Sequence, residues 1–231
     1  MDSVQARLAA GVVAAQSLLA AILKAVDRKV RRDCRLDRAL LDEHQRIAHG
    51  LTWFATYTEV LRAMQDWAEV LSEQGGFGEA ESSIADVLLD EYILQLQGGI
   101  AMSQGEFIRP EDFELPTGTL APLAALTRQV DSEQRRAHRA HLAKLLAESH
   151  GRATFEHTAL DADLDMLRDR FSEFVNVEVS PYAQRWHLND SLIPMALIQQ
   201  LAELGVFGFS VPEGFGGSGM SNSRPASSQR N

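Results

Sequence analysis

The chain has 231 residues, a formal net charge of -10 and a pI of about 5.2. Hydrophobic residues make up 45% and charged residues 23%, which excludes an intrinsically disordered chain. The acidic balance excludes general nucleic-acid binding, and the lone Cys34 excludes an internal disulfide or a cysteine-based zinc cluster.

A chain of this length can bury roughly 70–75% of its unfolded surface. Few Pro and Tyr, with abundant Ala and Leu, favour helix over a β sandwich. A single cysteine fits a reducing compartment, so a cytoplasmic location is expected.

Val4, Leu8, Val12, Ala15, Leu19, Ile22, Val26 and Val30 recur at steps of three and four, which predicts a helix over 2–32. Asp2 is its expected N-cap, with Gln5 answering, and the basic end at 24–32 suits a helix C-terminus. The apolar run at 8–23 falls short of a membrane span and lacks a basic signal-peptide n-region, so a core helix and no membrane partner are expected.

A second helix is predicted over 37–74, with Leu41, His44, Ala48, Leu51, Ala55, Thr58, Leu61, Gln65, Ala68 and Leu71 on one stripe. Ile47, Phe54, Met64 and Trp67 lie beside it, and Gly75-Gly76 ends it. Both Leu51 and Leu61 are expected to face the interior. The aromatic spacing of Trp53, Phe54, Tyr57 and Trp67 reads as core packing.

A third helix is predicted over 79–97, stopped by Gly98-Gly99. Residues 98–118, with Pro110 and Pro116, read as coil. That loop is long for a bundle, which implies a packing or functional role. A fourth helix is predicted over 120–149, then a linker at 150–158. A fifth runs over 161–179, stopped by Pro181, and a sixth starts at Pro194 and ends at Gly205. The 221–231 tail has nothing to bury and is expected to be disordered.

Gly214-Phe215-Gly216-Gly217-Ser218-Gly219 satisfies G-x-G-x-x-G, but no strand precedes it and no acidic residue follows to hold a ribose. It reads as a structural turn. His138 and His141, and His44 and His49, pair on helices without a carboxylate in a metal-ligand pattern, so no metal site is expected. Arg135, Arg136, Arg139 and Lys144 form a basic face that reads as solvated surface. Asn189-Asp190-Ser191 is a sequon with meaning only in a secreted chain. Glu69 and Glu173 read as solvated, and no nucleophile–base arrangement follows from spacing.

A resemblance emerges from 164 to 220. Met166-Leu167-Arg168-Asp169-Arg170-Phe171 leads into Phe174-Val175, Val179-Ser180-Pro181-Tyr182-Ala183 and Trp186-His187. Then follow Leu201-Ala202-Glu203-Leu204-Gly205-Val206-Phe207-Gly208 and Val211-Pro212-Glu213-Gly214-Phe215-Gly216-Gly217-Ser218-Gly219-Met220. This ordered series resembles the start of the N-terminal helical domain of acyl-CoA dehydrogenases. Upstream, Ala48-His49-Gly50-Leu51-Thr52-Trp53-Phe54-Ala55-Thr56-Tyr57 and Gly98-Gly99-Ile100-Ala101-Met102-Ser103-Gln104-Gly105-Glu106 resemble the helical extension of the methylsuccinyl-CoA dehydrogenases. So does Trp186-His187-Leu188-Asn189-Asp190-Ser191-Leu192-Ile193-Pro194-Met195, and the resemblance covers about 5–220.

The resemblance implies an all-α chain: long antiparallel helices in a bundle, followed by the start of an acyl-CoA dehydrogenase N-terminal helical domain. Its implied organisation is an extension at 1–158, the start of that domain at 159–220, and a tail at 221–231. It also implies oxidation of a short branched acyl-CoA in the ethylmalonyl-CoA pathway, an electron-transfer flavoprotein as acceptor, and a homo-oligomer. In the family FAD is gripped by a later β domain. A glutamate in a late helical bundle removes the α proton while the flavin takes the β hydride. Those segments have no counterpart here, so the sequence reads as an N-terminal fragment, inactive and without FAD alone. No catalytic, cofactor-binding or metal residue is carried over to a position in this chain. The alternative from another class is a non-catalytic helical interaction or scaffold module.

Overall fold

Ser3 opens the first helix, α1 (Val4–Val30), its Oγ accepting a hydrogen bond from the Ala6 amide. This computed structural model describes residues 3–148, 160 and 162–219. The cap expected at Asp2 and the segments at 150–158 and 221–231 lie outside the described residues. Gln5 does not answer a cap; its amide donates to Ser72 Oγ on a distant helix. Two compact units divide the chain, residues 1–157 and 158–231; among the described residues both are helical apart from two small hairpins in the first.

In the first unit, α1 is the central helix. It buries Leu8, Val12, Ala15, Leu18, Ile22 and Val26 against α3 (Gln45–Glu73), α4 (Glu79–Gly98) and α5 (Ala121–Thr127). Neighbours on several sides explain why its buried face is wider than one helical stripe. Over its full length α1 is long and apolar enough to span a membrane. Here one face, with Leu8, Val12, Leu18, Ile22 and Val26, packs within the unit, while Val13 and Leu23 on the other side are exposed.

The helix expected over 37–74 is two helices. Asp37 caps α2 (Arg38–Glu43) by accepting from the amides of Ala39 and Leu40. The backbone bends at His44, with φ -105° and ψ 21°, before α3 begins. The bend keeps α2 against the end of α1, with Leu41 packed on the core. It also resets the phase of the apolar stripe. The buried residues of α3 are Gly50, Phe54, Thr58, Leu61, Ala68 and Leu71, while Leu51 is only half-buried. Both leucines face the core as expected, Leu61 fully buried and Leu51 packed at its edge. Leu61→Ala is therefore expected to cost about 2–5 kcal/mol and Leu51→Ala under about half of that. Urea midpoints at unchanged slope check the ranking.

Gly76 and Gly75 donate to the carbonyls of Leu71 and Ser72 and close α3. At the start of α4, Glu81 accepts from the Gly78 amide. The segment at 98–118 is not plain coil. It holds an antiparallel hairpin of β3 (Ile100–Ala101) and β4 (Phe107–Ile108), then a short 3-10 turn at Pro110–Phe113. Ile100, Ile108 and Phe113 are fully buried. Ile108 lies on the bare backbone of α3: a Cβ on Gly50 would stand 2.4 Å from Ile108 Cγ1. The long loop is thus a lid on the core.

The single helix expected over 120–149 is also interrupted. After α5 the chain turns through 128–131, and α6 (Ser132–Glu148) begins. Asp131 and Gln134 cap each other, Oδ1 accepting from the Gln134 amide and Oε1 from the Asp131 amide.

In the second unit, α7 (Ala162–Phe174) passes into a π turn at Val175–Val179, where the Ser180 amide bonds the Val175 carbonyl. The helix expected to stop at Pro181 instead continues as α8 (Ser180–Leu188). Pro181 stands in the first turn of α8, where a missing N–H breaks no helical bond. Pro194 caps α9 (Met195–Glu203), its carbonyl accepting from Leu197 and Ile198. Phe171 meets Phe209 edge-on at 5.7 Å. Among the described hydrophobics of this unit, Leu197 is buried, whereas Leu192, Met195, Phe207 and Phe215 are exposed.

Candidate functional site

The G-x-G-x-x-G segment follows 3-10 turns, not a strand. Its amides point inward. Phe215 and Gly217 donate to the Pro212 carbonyl, Gly216 to Glu213, Ser218 to Gly208 and Gly219 to Val211. A Cβ on Gly217 would stand 1.9 Å from the Val211 oxygen, so glycine there serves the chain's own close approach. A phosphate cradle needs outward, unengaged amides. These residues do not fit the pyrophosphate of FAD, and the turn is structural.

The basic face of α6 is not solvated surface throughout; it is a seam against α4 and α5. Arg135 donates to the carbonyls of Val130 and Thr127 at the end of α5. Arg139 pairs with Glu91 at 2.6 Å, and His141 with Glu79 at 3.0 Å. The His138 Nδ1–H donates to Asp90 Oδ2 at 2.9 Å. Hydrogen bonding from Gln95, and then the Arg139 guanidinium, hold the Glu91 carboxyl below its usual range. Arg136 and Lys144 stay exposed, with long contacts to Glu133 and Glu148 on their own helix.

His138 leads to a polar cluster that spacing does not reveal. Arg7 of α1 donates from Nη1 to Asp86 Oδ1 and from Nη2 to Asp90 Oδ1, each at 2.6 Å. The Arg7 and Asp90 side chains are 12% and 6% exposed. Burial pushes the Asp86 carboxyl up, against the opposing pull of Arg7 and His138. A cavity of about 580 Å³ opens beside the cluster, lined by Ser3, Arg7, Asp86, Gln129, Gln134 and His138 among others. Asp90 uses both oxygens on Arg7 and His138, so the cluster clamps α1, α4 and α6 together. The sequence carries one trace of it. Arg7 is a lone cation early in an apolar helix, and Asp86 and Asp90 lie four apart on α4.

The other singled-out residues stay apart. Trp53 Nε1–H donates to His49 Nε2 at 3.1 Å, and Tyr57 packs on Tyr92 with the rings tilted by 38° and donates to Gln95. Trp53, Tyr57 and Trp67 are partly buried against the core that Phe54 enters. Glu69 and Glu173 are exposed, and Glu69 accepts from Gln65. Among the described residues no three His, Cys, Asp or Glu side chains are grouped to hold a metal ion.

Residues 161–226 match the family described as "Acyl-CoA dehydrogenase, N-terminal domain". The chain is 42% identical over 206 residues to a (2S)-methylsuccinyl-CoA dehydrogenase of Cereibacter sphaeroides, covering 89% of this chain and 37% of that protein. It is 34% identical over 61 residues to a glutaryl-CoA dehydrogenase of Desulfococcus multivorans, covering 26% of this chain and 16% of that one. The chain thus matches little more than a third of the length of the first relative and about a sixth of the second. An alignment of 206 residues cannot fit within the 74 residues of 158–231, so the likeness to the first relative takes in most of the N-terminal unit.

Proposed function

Because the chain belongs to the acyl-CoA dehydrogenase family, we propose that it supplies the helical N-terminal part of a flavin-dependent enzyme oxidising a short branched acyl-CoA of the methylsuccinyl-CoA type. The observation that carries this reading is the 42% identity extending through the N-terminal unit. The glutaryl-CoA dehydrogenase matches only 61 residues. The proposed reaction belongs to the ethylmalonyl-CoA route, with an electron-transfer flavoprotein as acceptor.

These 231 residues then provide packing and no chemistry of their own. The amides of the glycine turn are engaged internally. The clamp around Asp90 spends its charges on holding helices. In the second unit Leu192 and Phe215 are 92% and 85% exposed, and apolar surface of that kind calls for cover. Further dehydrogenase segments would provide it.

The test is to purify the chain, add excess FAD, desalt, and record flavin absorbance and dye reduction by methylsuccinyl-CoA. The expected result is no retained flavin and no turnover. Both are expected on co-expression with the remaining two-thirds of the Cereibacter relative. Turnover by the 231 residues alone would overturn the proposal, as would inactivity of a complex that has formed and bound FAD.

A further inference from the structure

Charge is unevenly placed in this chain. Residues 24–38 hold seven Lys and Arg against three Asp, a net of +4, which leaves -14 for the rest of a chain of total -10. The C-terminus of α1 needs few of these cations, and Arg28 and Lys29 already occupy its last turn. Three of the others, Arg31, Arg32 and Arg35, sit on a hairpin of β1 (Arg31–Arg32) and β2 (Arg35–Leu36), in which residues 31–36 are all exposed, and Lys24 and Arg38 flank it in sequence.

The register sets Arg32 directly opposite Arg35. Like charges facing one another across a strand pair are unfavourable, and this pair buries nothing in exchange. Asp33 and Cys34 at the tip both hold positive φ, 50° and 60°, which closes the two-residue turn and keeps the arginines side by side. Arg31 braces the hairpin by donating to Asp27 and to the Cys34 carbonyl. Arg32 lies 3.3 Å from Asp37. Among the described residues Lys24, Arg28, Arg35 and Arg38 have no ion-pair partner within 4.0 Å. Leu36 stands exposed among them.

We propose that this hairpin is a docking surface for an acidic protein partner, whose carboxylates pair with the arginines while an apolar residue covers Leu36. Guanidinium groups take carboxylates in bidentate fashion, and arginine beside apolar surface is the composition of protein interfaces. A single small phosphate would need convergent, enclosed donors; these cations are spread along an open edge. The proposal stands independently of the enzymatic reading.

The experiment uses the purified 231-residue chain and a fluorescein-labelled (Glu-Glu-Leu)4 peptide, with binding followed by anisotropy across a salt series. Wild type is expected to bind, and to weaken as salt rises. Arg32→Glu with Arg35→Glu should raise the Kd by about tenfold or more. Arg136→Glu with Lys144→Glu makes the same change in net charge on exposed α6 positions, and should leave the Kd within about twofold. Circular dichroism checks that both variants stay helical. Equal loss in the two variants would overturn the proposal, as would no binding by wild type. So would tighter binding of a DNA duplex or of phosphatidylglycerol vesicles than of the peptide.

Discussion

Replacing Arg7 with Leu is expected to lower the stability of the N-terminal unit by about 3–5 kcal/mol, the scale for breaking a buried ion pair by removing one partner. Arg7 bridges Asp86 and Asp90 at 2.6 Å each, from a side chain that is nearly buried. Without it two carboxylates one turn apart on α4 are left together in a poorly solvated seam, with only His138 close to Asp90. Against a total stability of roughly 5–15 kcal/mol, such a loss leaves the unit marginal.

The loss has a sign with pH. Burial already raises the Asp86 carboxyl above its ordinary range, and removing Arg7 takes away an interaction that opposes this. A carboxyl whose folded pKa is raised favours the folded state while protonated, and that contribution disappears as pH rises through the folded value. Arg7→Leu should therefore cost most near neutrality, and less as pH falls toward the carboxylate range. Urea titrations of wild type and variant across pH read both the size and the trend. A midpoint unchanged at neutral pH would show that the cluster does not clamp the helices.

Phe54→Ala is expected to cost about 3–5 kcal/mol through lost burial and the cavity left behind. Phe54 is fully buried on α3 and meets Phe113 edge-on, centroids 5.5 Å apart and planes at 89°. Phe113 belongs to the 3-10 turn that seats the 98–118 segment, so the truncation removes part of that segment's footing. Amide hydrogen exchange should rise at Ile100, Met102 and Ile108 beyond the rise at Leu18 and Ile22 of α1. Uniform acceleration would mean that the segment is held without Phe54, by Ile108 on Gly50 alone.

The sequence by itself determined the helical character of the chain, because three-and-four periodicity, paired glycines and few β-branched runs act locally. It placed Leu61 and Phe54 in or beside the core face, and marked the ends of α3 and α4. It also carried the likeness to acyl-CoA dehydrogenases, since ordered motifs survive without any knowledge of packing. Only the tertiary structure decided where those helices break. Nothing local forbids a straight helix through His44 or through 128–131; the bends answer what α2 and α6 must pack against. Pro181 was misread for the same reason, since a π turn just before it converts a stop into a first turn. The clamp of Arg7, Asp86, Asp90 and His138 was out of reach because its members come from α1, α4 and α6, up to 131 positions apart. A burial-dependent ion cluster has no sequence period, and only folding brings its charges within hydrogen-bond reach.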